Sequence, residues 1–152
     1  MTEPRGARAI GREAITALIP HQGAMCLLDR VLEWDADRIL LATATHRSED
    51  NPLRARGRLR ALHLCEYGAQ AMAVHGGVLG QAAGSRAQPG MLVSLRAVRL
   101  HRDYIEMLPG ELDVAAHRLL QSAASWQYAF AVRHRGDLLA EGRAAVMARR
   151  SI

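Results

Sequence analysis

Apolar positions along the chain change their spacing twice, and the changes mark the elements. In "GREAITALIP" (residues 11–20) Ile15, Leu18 and Ile19 fall on one stripe, which predicts a short amphipathic helix ended by Pro20. "AMCLLDRVLEW" (24–34) and "RILLATATHR" (38–47), rich in Leu, Ile and Val, predict two strands joined by a tight turn at "DAD", Asp35 to Asp37. A polar, proline-containing loop follows, "SEDNPLRARGRLR" (48–60). Helical spacing then returns from about Ala61 to Gly76, carried by Leu62, Cys65, Ala69, Met72 and Ala73. Beyond a Gly/Ser/Pro linker, "GQAAGSRAQPG" (80–90), the pattern is that of strands: "MLVSLRAVRLHRDY", "ELDVAAHRLLQS", "ASWQYAFAVRHR" and "DLLAEGRAAVMAR". "LPGE" (108–111) and "RGD" (135–137) supply turn signals between them. Two strands, one long helix and about four further strands predict an α+β domain, with a single helix packed on a curved antiparallel sheet. The repeated β signals argue against a parallel α/β fold.

A length of 152 residues fits one domain with a core that needs neither disulfide nor metal. The chain is 49% hydrophobic, which is globular, and its formal net charge of +5 rests on arginine, because it contains no lysine. That charge favours an acidic partner. Scarce aromatics, at 4%, and the lack of a basic helix with base-reading spacing argue against nucleic acid. Cys26 and Cys65 stand alone in apolar surroundings and read as buried free thiols in a cytoplasmic protein, with no spacing that suits zinc. The N-terminus lacks a signal-peptide core, and the least polar segment, "YGAQAMAVHGGVLGQAAG", suits a buried helix better than a membrane span.

Candidate chemistry collects in residues 51–77, "NPLRARGRLRALHLCEYGAQAMAVHGG". Arg54, Arg56, Arg58 and Arg60 alternate with small or apolar residues just before the helix, and an extended loop projects them mostly to one side. Glu66 is the one carboxylate of the helix, set among Leu62, Leu64, Cys65 and Ala69. A carboxyl in apolar surroundings keeps its proton toward neutral pH and suits acid–base chemistry. A single carboxylate on a helix is also commonly just a solvated residue, and an arginine run commonly just a solubilising loop.

"IPHQGAMCLLDRV" (19–31) resembles the Pro-His-Arg, apolar, Asp-Arg-Val opening of the β-hydroxyacyl-acyl-carrier-protein dehydratases, and "EYGAQ" resembles the acidic residue before Ala-Gln in their central helix. The likeness runs over roughly residues 12–148, and "EYGAQAMAVHGG" is similar to the aryl-polyene-type subgroup. The resemblance implies the hotdog fold, about six antiparallel strands wrapped round one helix, as a single domain over 1–152 with residues 1–11 a flexible N-terminus. It implies elimination of water from 3-hydroxyacyl thioesters held on the phosphopantetheine of an acyl carrier protein, in fatty-acid or polyene-type lipid biosynthesis, without metal or other cofactor. A hotdog thioesterase and a non-catalytic subunit of a hetero-oligomeric dehydratase are the alternatives. Implied partners are acyl carrier protein and a second hotdog subunit, identical or related, with no nucleic acid and no membrane span.

Residue by residue, the resemblance makes Glu66 catalytic and places the amide of Ala61, where relatives carry glycine, opposite the thioester oxygen. The four arginines become the carrier and phosphopantetheine surface, with Arg96, Arg99 and Arg102 as weaker candidates. Met72 and Val74 are expected to line the acyl pocket. The family's catalytic histidine falls at about Asn51 or Pro52, and neither takes up a proton. His63, one turn before Glu66, is the first substitute, followed by His46 and by His75, which lies half a turn out of phase. His21 matches a family position that reads as a turn and packing residue.

Overall fold

The computed structural model describes residues 10–84 and 90–148. The elements run β1 (Ile10–Gly11), α1 (Arg12–Leu18), β2 (Arg30–Trp34), β3 (Arg38–Thr43), α2 (Leu64–Ala82), β4 (Gly90–Leu100), β5 (Leu112–Gln121), β6 (Ser125–His134) and β7 (Asp137–Ala148). One antiparallel sheet of seven strands, in the order β1-β2-β3-β5-β6-β7-β4, carries α2 against one face. The expected six strands are joined by the two-residue β1, formed by residues expected to be flexible; residues 1–9 of that expected N-terminus lie outside the described residues. Residues 85–89 of the expected linker also lie outside them, and its first three residues extend α2.

Two boundaries moved for local reasons. The predicted strand 24–34 starts only at Arg30, because Gly23–Met25 form a 3-10 turn, with Gly23 in the left-handed region at φ 57°. Residues 61–63 form a 3-10 turn that leads into α2 rather than its first helical turn. The Arg135–Gly136 turn is a two-residue hairpin with both residues at positive φ, 50° and 88°, the geometry that matches strand twist.

Alternation along β5 and β6 sends Leu112, Val114, Ala116, Tyr128, Phe130 and Val132 inward, where they meet Tyr67, Ala71, Met72, Val74 and Val78 in one core. Phe130, the chain's single phenylalanine, fixes the approach of helix to sheet. A Cβ on Gly68 of α2 would stand 2.6 Å from its ring, and one on Gly142 of β7 would stand 2.8 Å from it. The ring therefore fills the space that two glycines leave.

Two candidate bases prove to be core fastenings. His75, fully buried, donates from Nε2 to the carbonyl of Asp35 (2.8 Å) and accepts at Nδ1 from the hydroxyl of Tyr128 (2.7 Å). Burial pushes that phenol up to about 12, so it keeps the proton it donates. His46, also fully buried, donates from Nε2 to the carbonyl of Leu108 (2.8 Å). Burial, the largest influence on each ring, holds both imidazoles below their ordinary range.

Gly68→Ala should push the Phe130 ring and cost about 1–3 kcal/mol, the range for overpacking. Gly76→Ala, where a Cβ meets nothing within 4 Å, should stabilise α2 by roughly 0.5–1 kcal/mol. Urea-unfolding midpoints of the two variants should therefore move in opposite directions. A second expectation concerns pH. The folded rings of His46 and His75 stay neutral where the unfolded chain, with imidazoles near 6.5, already binds protons. Stability is thus fully present above about pH 6.5 and falls as pH drops below it toward the folded values. A melting temperature unchanged between about pH 7.5 and 5 would contradict this, and His75→Gln should flatten the slope.

Candidate functional site

Glu66 and Gln70 lie four residues apart and so share one face at the start of α2, which the 3-10 turn holding Leu62 leads into. Gln70 is fully buried and acts like an added backbone unit: its Nε2 donates to the carbonyl of Met25 (2.7 Å) and its Oε1 accepts from the amide of Leu27 (2.8 Å). This fastens the segment between α1 and β2 onto the helix. Arg12 fastens the same segment from the other side, donating to the carbonyls of Gly23 (2.9 Å) and Cys26 (2.7 Å) and to Asp29 Oδ1 (3.2 Å). Gln22 completes the hold by donating to the carbonyl of Thr16 at 2.8 Å.

One turn before Gln70 on that face stands Glu66, and the fastened segment brings His21 to it. His21 Nε2 lies 3.5 Å from Glu66 Oε1, with the two side chains 29% and 39% exposed. The carboxylate is therefore half-buried in this chain and not enclosed by the apolar neighbours that the sequence suggested. Leu62 and Met25, 51% and 45% exposed, place apolar surface on the turn that leads into α2 and on the fastened segment. The histidine read as a turn and packing residue is thus the one whose ring reaches Glu66. The signal was present in "PHQ" and "EYGAQ", but the fastening that joins them is a contact across 43 residues.

The remaining candidates take other places. Asn51 is buried with its amide fully used: Nδ2 donates to the Thr45 carbonyl (2.9 Å) and the Tyr67 hydroxyl (3.0 Å), and Oδ1 accepts from the amide of Leu53 (2.9 Å). It closes a network in which Tyr67 also meets Thr45 Oγ1 at 2.9 Å and Thr43 Oγ1 donates to the Leu27 carbonyl. Asn51 thus holds the loop to the core, and its partner on α2 is Tyr67, not Glu66. The amide of Ala61 is already committed, donating to the carbonyl of Asp103 at 2.9 Å, so the expected oxyanion donor is unavailable to a substrate. His63 is half-buried at the N-cap of α2 and makes no ion pair with Glu66 among the described residues. Met72 and Val74 belong to the closed core and not to an open pocket. Cys26 is buried as expected, Cys65 only partly, and both are free thiols.

The arginine loop is a hairpin, not an extended strip. Ala55 and Arg58 exchange backbone hydrogen bonds of 2.9 and 3.0 Å, with Arg56 and Gly57 at φ 54° and 76° between them. Arg54 turns inward and donates to the carbonyls of His46 (3.2 Å) and Gly57 (3.3 Å). Arg58 pairs with the buried carboxylate of Glu106 at 2.6 Å and lies 3.6 Å over the ring of Tyr104. Burial by itself raises Glu106; the Arg58 hydrogen bond and nearby backbone amides outweigh it and hold the carboxyl below its usual range. Two of the four expected docking arginines thus have partners within the chain, although Arg58 stays 55% exposed; Arg56 and Arg60 are exposed as well.

Comparison with known proteins identifies the family and the fold. The model of the ApeP-like family, described as ApeP dehydratase, matches residues 13–151. Among solved structures, the dehydratase heterocomplex ApeI:P from Xenorhabdus doucetiae superposes with a TM-score of 0.81 at 23% identity, covering 90% of this chain and 91% of that one. Thioesterase superfamily member 2 of zebra fish gives a TM-score of 0.61 at 16% identity over 91% of this chain and 95% of that one. A hypothetical thioesterase with coenzyme A from Streptococcus pneumoniae gives 0.56 at 11% identity, covering 80% and 87%. No curated protein matches the chain in sequence. At such identities the structures speak for the fold, which is the hotdog; the family match covers nearly the whole sequence, and the chain belongs to the ApeP-like dehydratases.

Proposed function

We propose that this chain is a subunit of a dehydratase that eliminates water from a 3-hydroxyacyl thioester presented by an acyl carrier protein, with Glu66 as the acid. The observation that carries the reading is the place of Glu66: in the first turn of α2, half-exposed, between the buried clamp of Gln70 and the apolar surface of Leu62. Elimination needs a proton delivered to the β-hydroxyl as it leaves, and a carboxyl at the edge of an apolar surface meets that need once an acyl chain covers it. Family membership supports the reaction class.

A second hotdog subunit belongs to this proposal. β4 is the outer strand of the sheet, bonded only to β7, and it exposes Met91, Leu92, Val93, Leu95 and Leu100. An apolar edge strand is an invitation to pair with another chain. The superposing ApeI:P structure is itself a heterocomplex, which favours a related and non-identical partner here. Such a partner would also complete the cover over Glu66. Arg56 and Arg60, exposed before α2, are the remaining surface for an acidic carrier and its phosphate.

Purified protein, alone and with its second subunit, should convert a 3-hydroxyacyl carrier thioester to the enoyl product, with no release of free thiol. Glu66→Gln should remove the turnover and leave the melting temperature in place. Thiol release in place of enoyl product would mark a thioesterase and overturn the assignment. Arg56→Ala with Arg60→Ala should weaken reaction with the carrier-linked substrate several-fold more than with a small pantetheine thioester. Added salt should act in the same sense, because exposed charges are screened over about 8 Å at physiological ionic strength. Equal loss on both substrates would remove these arginines from carrier docking.

A further inference from the structure

The dehydratase reading leaves one requirement open, a base for the α-proton. Asn51, in the register of the family's histidine, is closed in its own network. His46 and His75 are sealed in the core on backbone carbonyls. His63 does not reach the carboxylate. We infer that His21 supplies the base, and that His21 and Glu66 form a self-resetting proton pair within one chain.

Three observations carry this, and it rests on the dehydratase reading above. First, His21 Nε2 is 3.5 Å from Glu66 Oε1, and both side chains reach solvent, so a substrate has access to the pair. That separation is wider than a settled hydrogen bond, which leaves each group free to face a reacting atom; catalytic contacts commonly tighten only once substrate is bound. Second, His21 Nδ1 is turned inward, buried and without a partner among the described residues. Nε2 is thus the nitrogen presented to the site. Third, the backbone carrying His21 is fastened by Arg12, Gln22 and Gln70, and Gln70 lies one turn from Glu66 on the same helix. Such rigid double support is costly for a surface turn, and it holds two groups in register for reaction.

The proton balance closes without an outside reagent. Neutral His21 takes the α-proton at Nε2. The Cα–H electron pair becomes the π bond of Cα=Cβ as the Cβ–O bond breaks and its pair leaves with the oxygen. Protonated Glu66 gives its proton to the departing oxygen, which leaves as water. His21 is then an imidazolium beside a carboxylate, and transfer of one proton from Nε2 to Oε1 restores both groups.

The test is dehydration of a 3-hydroxyacyl carrier thioester by the assembled protein, as wild type, His21→Ala and Glu66→Gln, with and without free imidazole. His21→Ala should lower the rate by roughly a hundredfold or more, the usual worth of a positioned base, and imidazole should restore part of it in proportion to its free-base concentration. Glu66→Gln should be equally slow and gain nothing from imidazole. A rate within about threefold of wild type in His21→Ala overturns the assignment. So does a rate lost without any rescue in a variant that melts as the wild type does, since His21 would then serve only to shape the turn. Absence of enoyl product from the wild-type assembly overturns the dehydratase reading itself, and the pair with it.

Discussion

Gln70 carries the constraint on which the site depends. An amide inside a packed core has to find a donor and an acceptor, and leaving either unmet costs about 1–3 kcal/mol. Here both needs are met by backbone two residues apart, the carbonyl of Met25 and the amide of Leu27. The helix therefore cannot keep its place without also holding the segment between α1 and β2. Because side chains four apart share a helix face, fixing that segment at Gln70 also sets what stands beside Glu66, and His21 is what arrives there.

The same logic repeats along α2. Tyr67 reaches Thr45 and Asn51, and His75 reaches Tyr128 and Asp35. The buried side chains of Tyr67, Gln70 and His75 are each answered by a loop or strand distant in sequence. Phe130, held between Gly68 and Gly142, sets how near the helix can come. Packing distance is thus fixed by the absence of two side chains, and register by polar side chains that cannot be left unpaired.

Charge is distributed by the same economy of partners. Of the arginines before α2, Arg54 is spent on loop carbonyls and Arg58 on the buried Glu106 and the face of Tyr104. These contacts hold the hairpin beside residues 103–106, where Ala61 and Ile105 add backbone bonds to the same seam. Arg56 at the hairpin tip, Arg58 with its guanidinium on Glu106, and Arg60 at the approach to the helix all stay exposed. At one end of the sheet, the outer strand β4 leaves Met91, Leu92, Val93, Leu95 and Leu100 exposed.

Spacing alone determined the class of fold. Period-two runs with turn residues between them give antiparallel strands, and one helical run in "LCEYGAQAMAVHGG" gives the single long helix, because both patterns are local. Resemblance to the family marked Glu66, whose motif is contiguous in the chain. It gave Asn51 and Ala61 to the chemistry because register along a sequence says nothing of whether an amide or carbonyl is already bonded elsewhere, and both are. It read His21 as a turn and packing residue, and 45 residues separate it from Glu66. Only the buried amide of Gln70 closes that gap, and a hydrogen bond between distant segments exists only once the chain is folded.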